Sequence, residues 1–339
     1  SALRFIMFYN NVRGRPEKKH IISRESAYHG STYLASSACG KSRDKSHMDV
    51  DTNLFHFVSD PETYHRPDDI DEANWLDYLL KEFEDKILEI GPDKCAAFIG
   101  EPLLASGGVS IPPKGYHKQI LEICHKHDML YISDEVVTAW GRLGHWFASE
   151  EVFDIKPDMI TTAKGLTSGY QPLGALLISD ELIKHVSGDD VPNSCFSNGF
   201  TYSGHPVACA AALKNIEIFE RENLLEHARE VGPYLQQRLQ ELKEIPIVGD
   251  VRGMGMLGCV ECVISKDSRD PLALDYAIGN RINAHCLELG LFVRPIIHMC
   301  VFSPPLIITK EEIDIMVDIL RTGIERAMED VRKEGLWND

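Results

Sequence analysis

The sequence predicts an α/β fold, with a mostly parallel central sheet flanked by helices and a smaller α+β domain at the carboxyl end. Three observations carry this expectation. From residue 95 to residue 179, short apolar runs alternate with amphipathic stretches, the rhythm of strands joined by helical crossovers. Two of those runs end in residues with chemistry to offer: Leu130-Tyr131-Ile132-Ser133 leads into Asp134-Glu135, and Met159-Ile160-Thr161-Thr162 into Ala163-Lys164-Gly165. After Asn223 the pattern changes, which divides the chain into domains at 1–222 and 223–339.

The elements follow in order. Residues 1–9, Ser-Ala-Leu-Arg-Phe-Ile-Met-Phe-Tyr, read as a helix already under way. Ile21-Ile22-Ser23 is a short strand after a basic patch, and residues 42–72 are polar and rich in Asp and His, a long surface excursion. Trp75, Leu79, Leu80, Phe83 and Ile87 stand near helical spacing and predict a helix over 72–88. Strands are expected at 95–100, 129–133, 158–162 and 174–179, with a helix at 115–127 and a long helix over 204–221. The carboxyl-terminal part reads as helix, strand-like segments over 246–263, helix, strand, and a last helix over 310–332.

Composition narrows the function classes. A chain of 339 residues buries a large core and has room for two domains. Its net charge is -17, with charges interspersed rather than blocked. That argues against a nucleic-acid or anionic-membrane surface, which needs clustered Lys and Arg. No apolar run approaches the length of a membrane span, and no signal-peptide pattern opens the chain. Nine scattered cysteines suit small core residues in a reducing compartment, so a soluble, cytoplasmic protein is expected. Cys259 and Cys262 have Cys-x-x-Cys spacing, but in a strand that separation places them on opposite faces. No second pair with zinc spacing accompanies them, and no metal is expected.

The chemistry starts from Lys164 and Asp134. Carboxyl ends of parallel strands carry function, and a lysine with an aspartate at two such ends suggests a Schiff-base lysine and a partner for a protonated pyridine nitrogen. That is the equipment for pyridoxal phosphate. Asp134 also fits a helix N-cap. Tyr28-His29-Gly30-Ser31 offers an aromatic that can stack on a planar cofactor and a glycine that permits close approach; core packing is the alternative. Glu101 ends the run Cys95–Gly100 and is either a site acid or a solvated loop acid. The stretch Gly199-Phe200-Thr201-Tyr202-Ser203-Gly204-His205-Pro206 puts small donors before a helix, suited to a phosphate or to an ordinary capped loop. Arg294 follows Leu291-Phe292-Val293. A surface position is its plain reading, and a bidentate carboxylate contact its functional one.

In order and spacing, the segments "YHGST", "GEPLLASGGVSIPPKGY", "ISDEVVTAWGRLG", "PDMITTAKGLTSGYQPLGA", "FTYSGHPVACAAAL" and "LFVRPIIHMCVFSPPL" resemble the class III aminotransferases, pyridoxal-phosphate enzymes of fold type I. They span nearly the whole chain, and "DEVVTAWGRLG" and "VRPIIHMCVFSPPL" look most like the amine:pyruvate branch, the ω-transaminases. The resemblance implies that Lys164 holds pyridoxal 5'-phosphate and shuttles the proton, that Asp134 pairs with the pyridine nitrogen, and that Glu101 is the acid near the ring. It places Tyr28, His29, Gly30 and Val136 around the cofactor. Thr201 would reach the phosphate in a neighbouring subunit, which implies a homodimer with shared sites. Arg294 would bind the carboxylate of a keto or amino acid and swing away for a simple amine, and Trp140 would touch substrate. The implied reaction moves an amino group from an amine to a keto acid such as pyruvate in two half-reactions. Diamine, β-alanine, taurine, 4-aminobutyrate or diaminononanoate transamination, or a non-catalytic remnant, are the alternatives.

Two departures from the family pattern stand out. Ile297-His298 occupies positions where the family has a glycine and a small or acidic residue. Family members also carry a long further segment before this start, including a Gly-Ser turn that cradles the phosphate, so the sequence reads as a fragment of a longer protein with weakened cofactor affinity.

Overall fold

The computed structural model describes residues 1–187, 191, 194–273 and 276–338. Six strands form the larger sheet: β1 (His20–Arg24), β2 (Phe55–Val58), β3 (Cys95–Gly100), β4 (Leu130–Asp134), β5 (Met159–Thr162) and β6 (Ala175–Ile178). Their order is β2-β1-β3-β4-β5-β6. β1 to β5 run parallel, and β6 returns antiparallel to β5. Gly100 lies opposite Ser133, and Asp134 opposite Thr161. The carboxyl ends of β3, β4 and β5 therefore emerge side by side.

Burial on both faces explains why these strands read as unbroken apolar runs. All six residues of β3 are buried. On one face Ala97, Ile99, Ile132 and Met159 pack with Leu3, Phe5, Ile6 and Tyr9 of the helix Ala2–Val12. On the other, Phe98 and Tyr131 meet Trp75, Leu79, Phe83 and Ile87 of the helix Glu72–Ile90. Those four sit at intervals of four residues, the stripe a helix turns toward a core. Ile120 and Cys124 of the helix Tyr116–Lys126 complete that layer.

The smaller sheet comprises β7 (Val248–Met254), β8 (Leu257–Cys262), β9 (Arg294–Ile296) and β10 (Met299–Phe302), in the order β7-β8-β10-β9. Every pairing in it is antiparallel. Helices Leu224–Gln240, Ile278–Glu288 and Lys310–Lys333 cover it through Leu235, Leu239, Ile282, Leu320 and Ile324. The last helix starts with a capping box: Thr309 Oγ1 accepts from Glu312 N at 3.2 Å and Glu312 Oε2 from Thr309 N at 2.9 Å. Cys259 and Cys262 are both buried free thiols. They belong to different apolar clusters, in keeping with opposite faces of β8.

Observed boundaries depart from the sequence-based ones by a residue or two at most ends, as fraying ends do. The short helices Tyr33–Ala38, Ser42–Lys45, Ala148–Glu151 and Asp180–Val186 were not foreseen, the hairpin of β9 and β10 replaces a single strand expected at 291–293, and β2 was missed as well. The polar excursion at 42–72 contains β2, whose four residues pair with β1 as an edge strand. Its apolar content is two phenylalanines and a valine around His56, too short a signal among acidic and histidine neighbours.

Phe98 packs edge-on to Phe83 with ring centroids 5.3 Å apart and has no solvent exposure. Phe98→Ala is expected to cost about 3–5 kcal/mol, read as a lowered urea midpoint at unchanged slope. A loss under about 1 kcal/mol would mean the ring is not a core anchor.

Candidate active site

Asp134 is the last residue of β4, Glu101 follows β3 directly, and Lys164 follows β5 after one residue. Each leaves its strand by a local device. Lys164 has φ +39 and opens a tight turn over Lys164–Thr167, a backbone region that non-glycine residues seldom adopt. That turn is seated on Trp140: a Cβ added at Gly165 would come within 2.6 Å of the Trp140 Cβ. Asp134 Oδ1 accepts from Val136 N at 3.1 Å, an Asx turn that redirects the chain.

Asp134 is buried, and its Oδ2 accepts from His29 Nδ1 at 2.7 Å. The other ring nitrogen of His29 lies 3.1 Å from Ser23 Oγ. Burial, the largest influence on His29, opposes its charge, but the negative charge of Glu101 and the bond to Asp134 outweigh it and raise its pKa above the usual 6.5. The raised pKa favours the protonated ring behind the Asp134 carboxylate.

Glu101 is fixed as firmly. Its Oε1 accepts from Tyr28 N at 3.0 Å, its Oε2 from Arg24 Nη2 at 3.2 Å, and its carbonyl from the same nitrogen at 2.5 Å. Arg24 has no solvent exposure and lies over the Phe98 ring. The loop after β1 is thus held to the end of β3, which presents the half-exposed Tyr28 ring beside the strand ends. Gly30, at φ +128, turns this loop where a Cβ would press on Ala35.

The Lys164 side chain keeps access to solvent, yet its surroundings are dense enough to lower its pKa from the usual 10.5. Burial is the main cause, Arg294 adds repulsion, and Asp134 and Glu101 pull the other way. Lys164, Asp134, Glu101 and Arg294 therefore share one electrostatic neighbourhood, although they come from four strand ends in two sheets. The lowered pKa raises the fraction of neutral amine, the nucleophilic form.

Three further candidates lie outside the hydrogen bonds that join His29, Asp134, Arg24, Tyr28 and Glu101. Trp140, expected at the substrate, lies in the apolar cluster behind Lys164. Its indole N–H donates to Thr162 Oγ1 at 2.7 Å, and its ring packs against Trp146 and Phe147, so it supports the lysine turn from behind. Thr201 sits in an exposed turn between exposed Phe200 and Tyr202, apart from the hydrogen bonds that join the other residues. Arg294 is exposed at the start of β9, an edge strand.

Two residues were missed. Arg24 was hidden as the polar end of an apolar run, where a charge reads as a strand stop. Glu135, with no exposure, accepts from Ala148 N at 2.6 Å, Ser149 N at 2.8 Å and Ser149 Oγ at 2.5 Å. It ties the loop after β4 to residues 148–149 and so braces Asp134.

The family model for Aminotransferase class-III matches residues 1–324. A curated relative from Oryza sativa subsp. indica, a probable gamma-aminobutyrate transaminase 3, mitochondrial, is 36% identical over 341 residues, covering 99% of this chain and 66% of its own. The chain thus spans about two thirds of the length of such relatives. Among solved structures, a transaminase obtained by ancestral reconstruction is 41% identical with a TM-score of 0.94, covering 97% of this chain and 73% of its own. The omega transaminase from Pseudomonas jessenii in complex with PMP is 36% identical with a TM-score of 0.93, covering 98% and 73%. The chain belongs to the class III aminotransferases.

The His29–Asp134 pair has a signed pH dependence. Because the folded pKa of His29 is raised, its stabilisation is fully present below the unfolded value near 6.5 and is lost as pH rises through the folded value. The stability gap between wild type and His29→Gln, measured by urea unfolding, is expected to be larger at about pH 6 than at about pH 9. A gap that is constant, or that grows with pH, would contradict the charged pair.

Proposed function

We propose that the chain forms the catalytic core of a pyridoxal-phosphate aminotransferase of the ω-transaminase type, which moves an amino group from an amine or ω-amino acid to a keto acid such as pyruvate. The observation that carries this reading is the emergence of Glu101, Asp134 and Lys164 from the carboxyl ends of the adjacent strands β3, β4 and β5. The residues present fit the ring of the cofactor: a carboxylate for its nitrogen, an amine for its carbonyl, and an exposed aromatic face at Tyr28.

When bound, pyridoxal phosphate supplies an electrophilic carbonyl and a ring that accepts the electron pair left at the substrate carbon. Asp134, backed by His29, would hold the ring nitrogen and favour its protonated form. Lys164 Nζ would hold the cofactor's carbonyl carbon and could accept and return the proton of the substrate carbon. Tyr28 and Val136 would lie at the ring, and Gly30 would let the backbone come close. Arg294 engages a substrate carboxylate with its two-pronged guanidinium. Glu101, pinned by Arg24, places its carboxyl group at the end of β3 on the lysine's side of the sheet.

A 4-aminobutyrate donor is the second reading, favoured by the rice relative. A panel of simple amines, 4-aminobutyrate and diamines against pyruvate and 2-oxoglutarate separates the two. We further infer a homodimer in a reducing compartment such as the cytoplasm. Tyr170 is 84% exposed and Tyr202 78% exposed, with Phe200, Val207 and Leu213 also exposed, aromatic and aliphatic side chains of the kind an interface takes up. A second copy would cover it and bring Thr201 to the neighbouring site. Sedimentation is expected to give twice the chain mass; a monomer at micromolar concentration would remove the shared site.

Borohydride treatment after loading with pyridoxal phosphate is expected to fix the cofactor on Lys164, read by peptide mass, and to leave Lys164→Ala unlabelled. Lys164→Ala is expected to lose turnover entirely. Labelling spread over several lysines would count against the assignment.

A further inference from the structure

The hairpin that begins with Arg294 turns at Ile297, whose φ is +56, and His298, the two positions where the sequence departs from its family. The structure gives this departure a partner. His298 Nε2 donates to Glu261 Oε1 at 3.2 Å, and His65 Nε2 donates to the same oxygen at 2.5 Å. Glu261 stands on β8 without solvent exposure, and its other oxygen accepts from Arg252 Nη1 at 2.6 Å. His65 belongs to the loop after β2, so one buried carboxylate joins the larger unit to the turn of the hairpin that carries Arg294.

The surrounding charges converge on the same point. Arg252, on β7, also meets Asp250 Oδ2 at 3.0 Å and donates from Nε to the carbonyl of Gly108 at 2.7 Å, in the loop after Glu101. Lys243 reaches Asp250 at 3.3 Å. From the loop after β2, Glu62 and Tyr64 face the cluster, and Arg269 donates to the Tyr64 carbonyl at 2.9 Å while pairing with Asp68. Cys259 faces it from β8.

β9 has three residues and pairs on one side only, with β10. Between Arg294 and the turn it has two ladder partners, Pro295 with Cys300 and Ile296 with Met299. Backbone bonds from Gly279 N to the Ile297 carbonyl at 3.0 Å and from Cys262 N to the His298 carbonyl at 2.9 Å hold the turn as well, and the histidine links to Glu261 are the side-chain anchors added to them. We propose that His298 and His65, joined through Glu261, form a clasp that fixes this hairpin and positions Arg294 for substrates bearing a carboxylate. The proposal rests on the carboxylate role given to Arg294 above. Both histidines are positioning residues that act through Arg294.

The clasp weakens with rising pH. Burial on its own would favour protonation of Glu261, but the hydrogen bonds from His298 and His65 and the charge of Arg252 prevail and hold its carboxyl far below the usual range. Glu261 therefore stays anionic. Burial opposes the charge of His65, whereas the bond to Glu261 and the charges of Glu261 and Glu62 raise its pKa, against Arg252. His65 is thus charged on the acid side, and the link loosens as pH rises through its raised pKa.

The test uses the full-length holoenzyme with His298→Ala, His298→Gln, His65→Gln and Arg294→Ala. Hydrogen exchange across residues 294–302 is expected to quicken about tenfold in His298→Ala and His65→Gln, the scale of one lost charge-assisted bond. The KM for pyruvate is expected to rise by a similar factor, while the KM for a simple amine changes less than about twofold. His298→Gln, which keeps an N–H donor, recovers most of both. Wild-type KM for pyruvate rises with pH, and that rise flattens in His65→Gln. An unchanged pyruvate KM in Arg294→Ala overturns the carboxylate role and the clasp with it. If Arg294→Ala raises that KM while the histidine variants match wild type in exchange and KM, the clasp alone is overturned. Equal losses for pyruvate and amine also overturn it, because they mark general loosening.

Discussion

Parallel pairing of β3, β4 and β5 with almost no stagger is the constraint on which the site depends. Gly100 opposite Ser133 and Asp134 opposite Thr161 mean that three chain segments distant in sequence leave the sheet at one level. Strands in one sheet lie about 4.8 Å apart, so Glu101, Asp134 and Lys164 are neighbours before any side chain chooses a rotamer. The connections between these strands return the chain to the other end of the sheet, and the helix Tyr116–Lys126 packs its apolar face on it. The site's geometry is therefore a property of the core: Ile99, Ile132 and Met159 on one face, Phe98 and Tyr131 on the other.

Charge burial gives that geometry its stiffness. Arg24 is wholly enclosed, yet only Nη2 of its guanidinium has a hydrogen-bond partner; Nε and Nη1 are buried without one. Such atoms each cost about 1–3 kcal/mol, offset here by Glu101 and by the Phe98 ring 6.0 Å from the guanidinium carbon. Breaking a buried pair of this kind leaves a lone charge in the interior, so Glu101 is held where it stands. His29 behind Asp134 follows the same logic with a group that can release its proton. The carboxylates of the site are thus placed from behind by cations, and their outward sides are left for chemistry.

Much of the layout was legible because strand ends have a signature: an apolar run, then a polar residue with reactive chemistry. Asp134, Glu101 and Lys164 follow that pattern, and the fold places all three at strand ends. Where the reading stopped short, the missing information was three-dimensional. Trp140 stands two turns after Asp134 in sequence, but which side of Lys164 it packs on is decided by Thr162, Trp146 and Phe147. Arg24 looked like the end of β1 because its enclosure is built by Phe98, Tyr116 and Tyr131 from other elements. β2 was too short to outweigh its polar surroundings. His298 was noticed as an oddity, and only the fold supplies its partner, 37 residues back along the chain.

Among the described residues, the reversed β6 is the last strand at one side of the larger sheet. β6 ends the strand order, and its sequence, Ala175-Leu176-Leu177-Ile178, contains no charge or proline to discourage a newcomer. The opposite rim, β2, carries a histidine and is followed by Asp60. Backbone N–H and C=O groups along such a rim are a template for any extended chain. Such a rim accepts one further extended segment, and a lysine at Leu177 is the sort of change that natural sheets use to keep a rim to themselves.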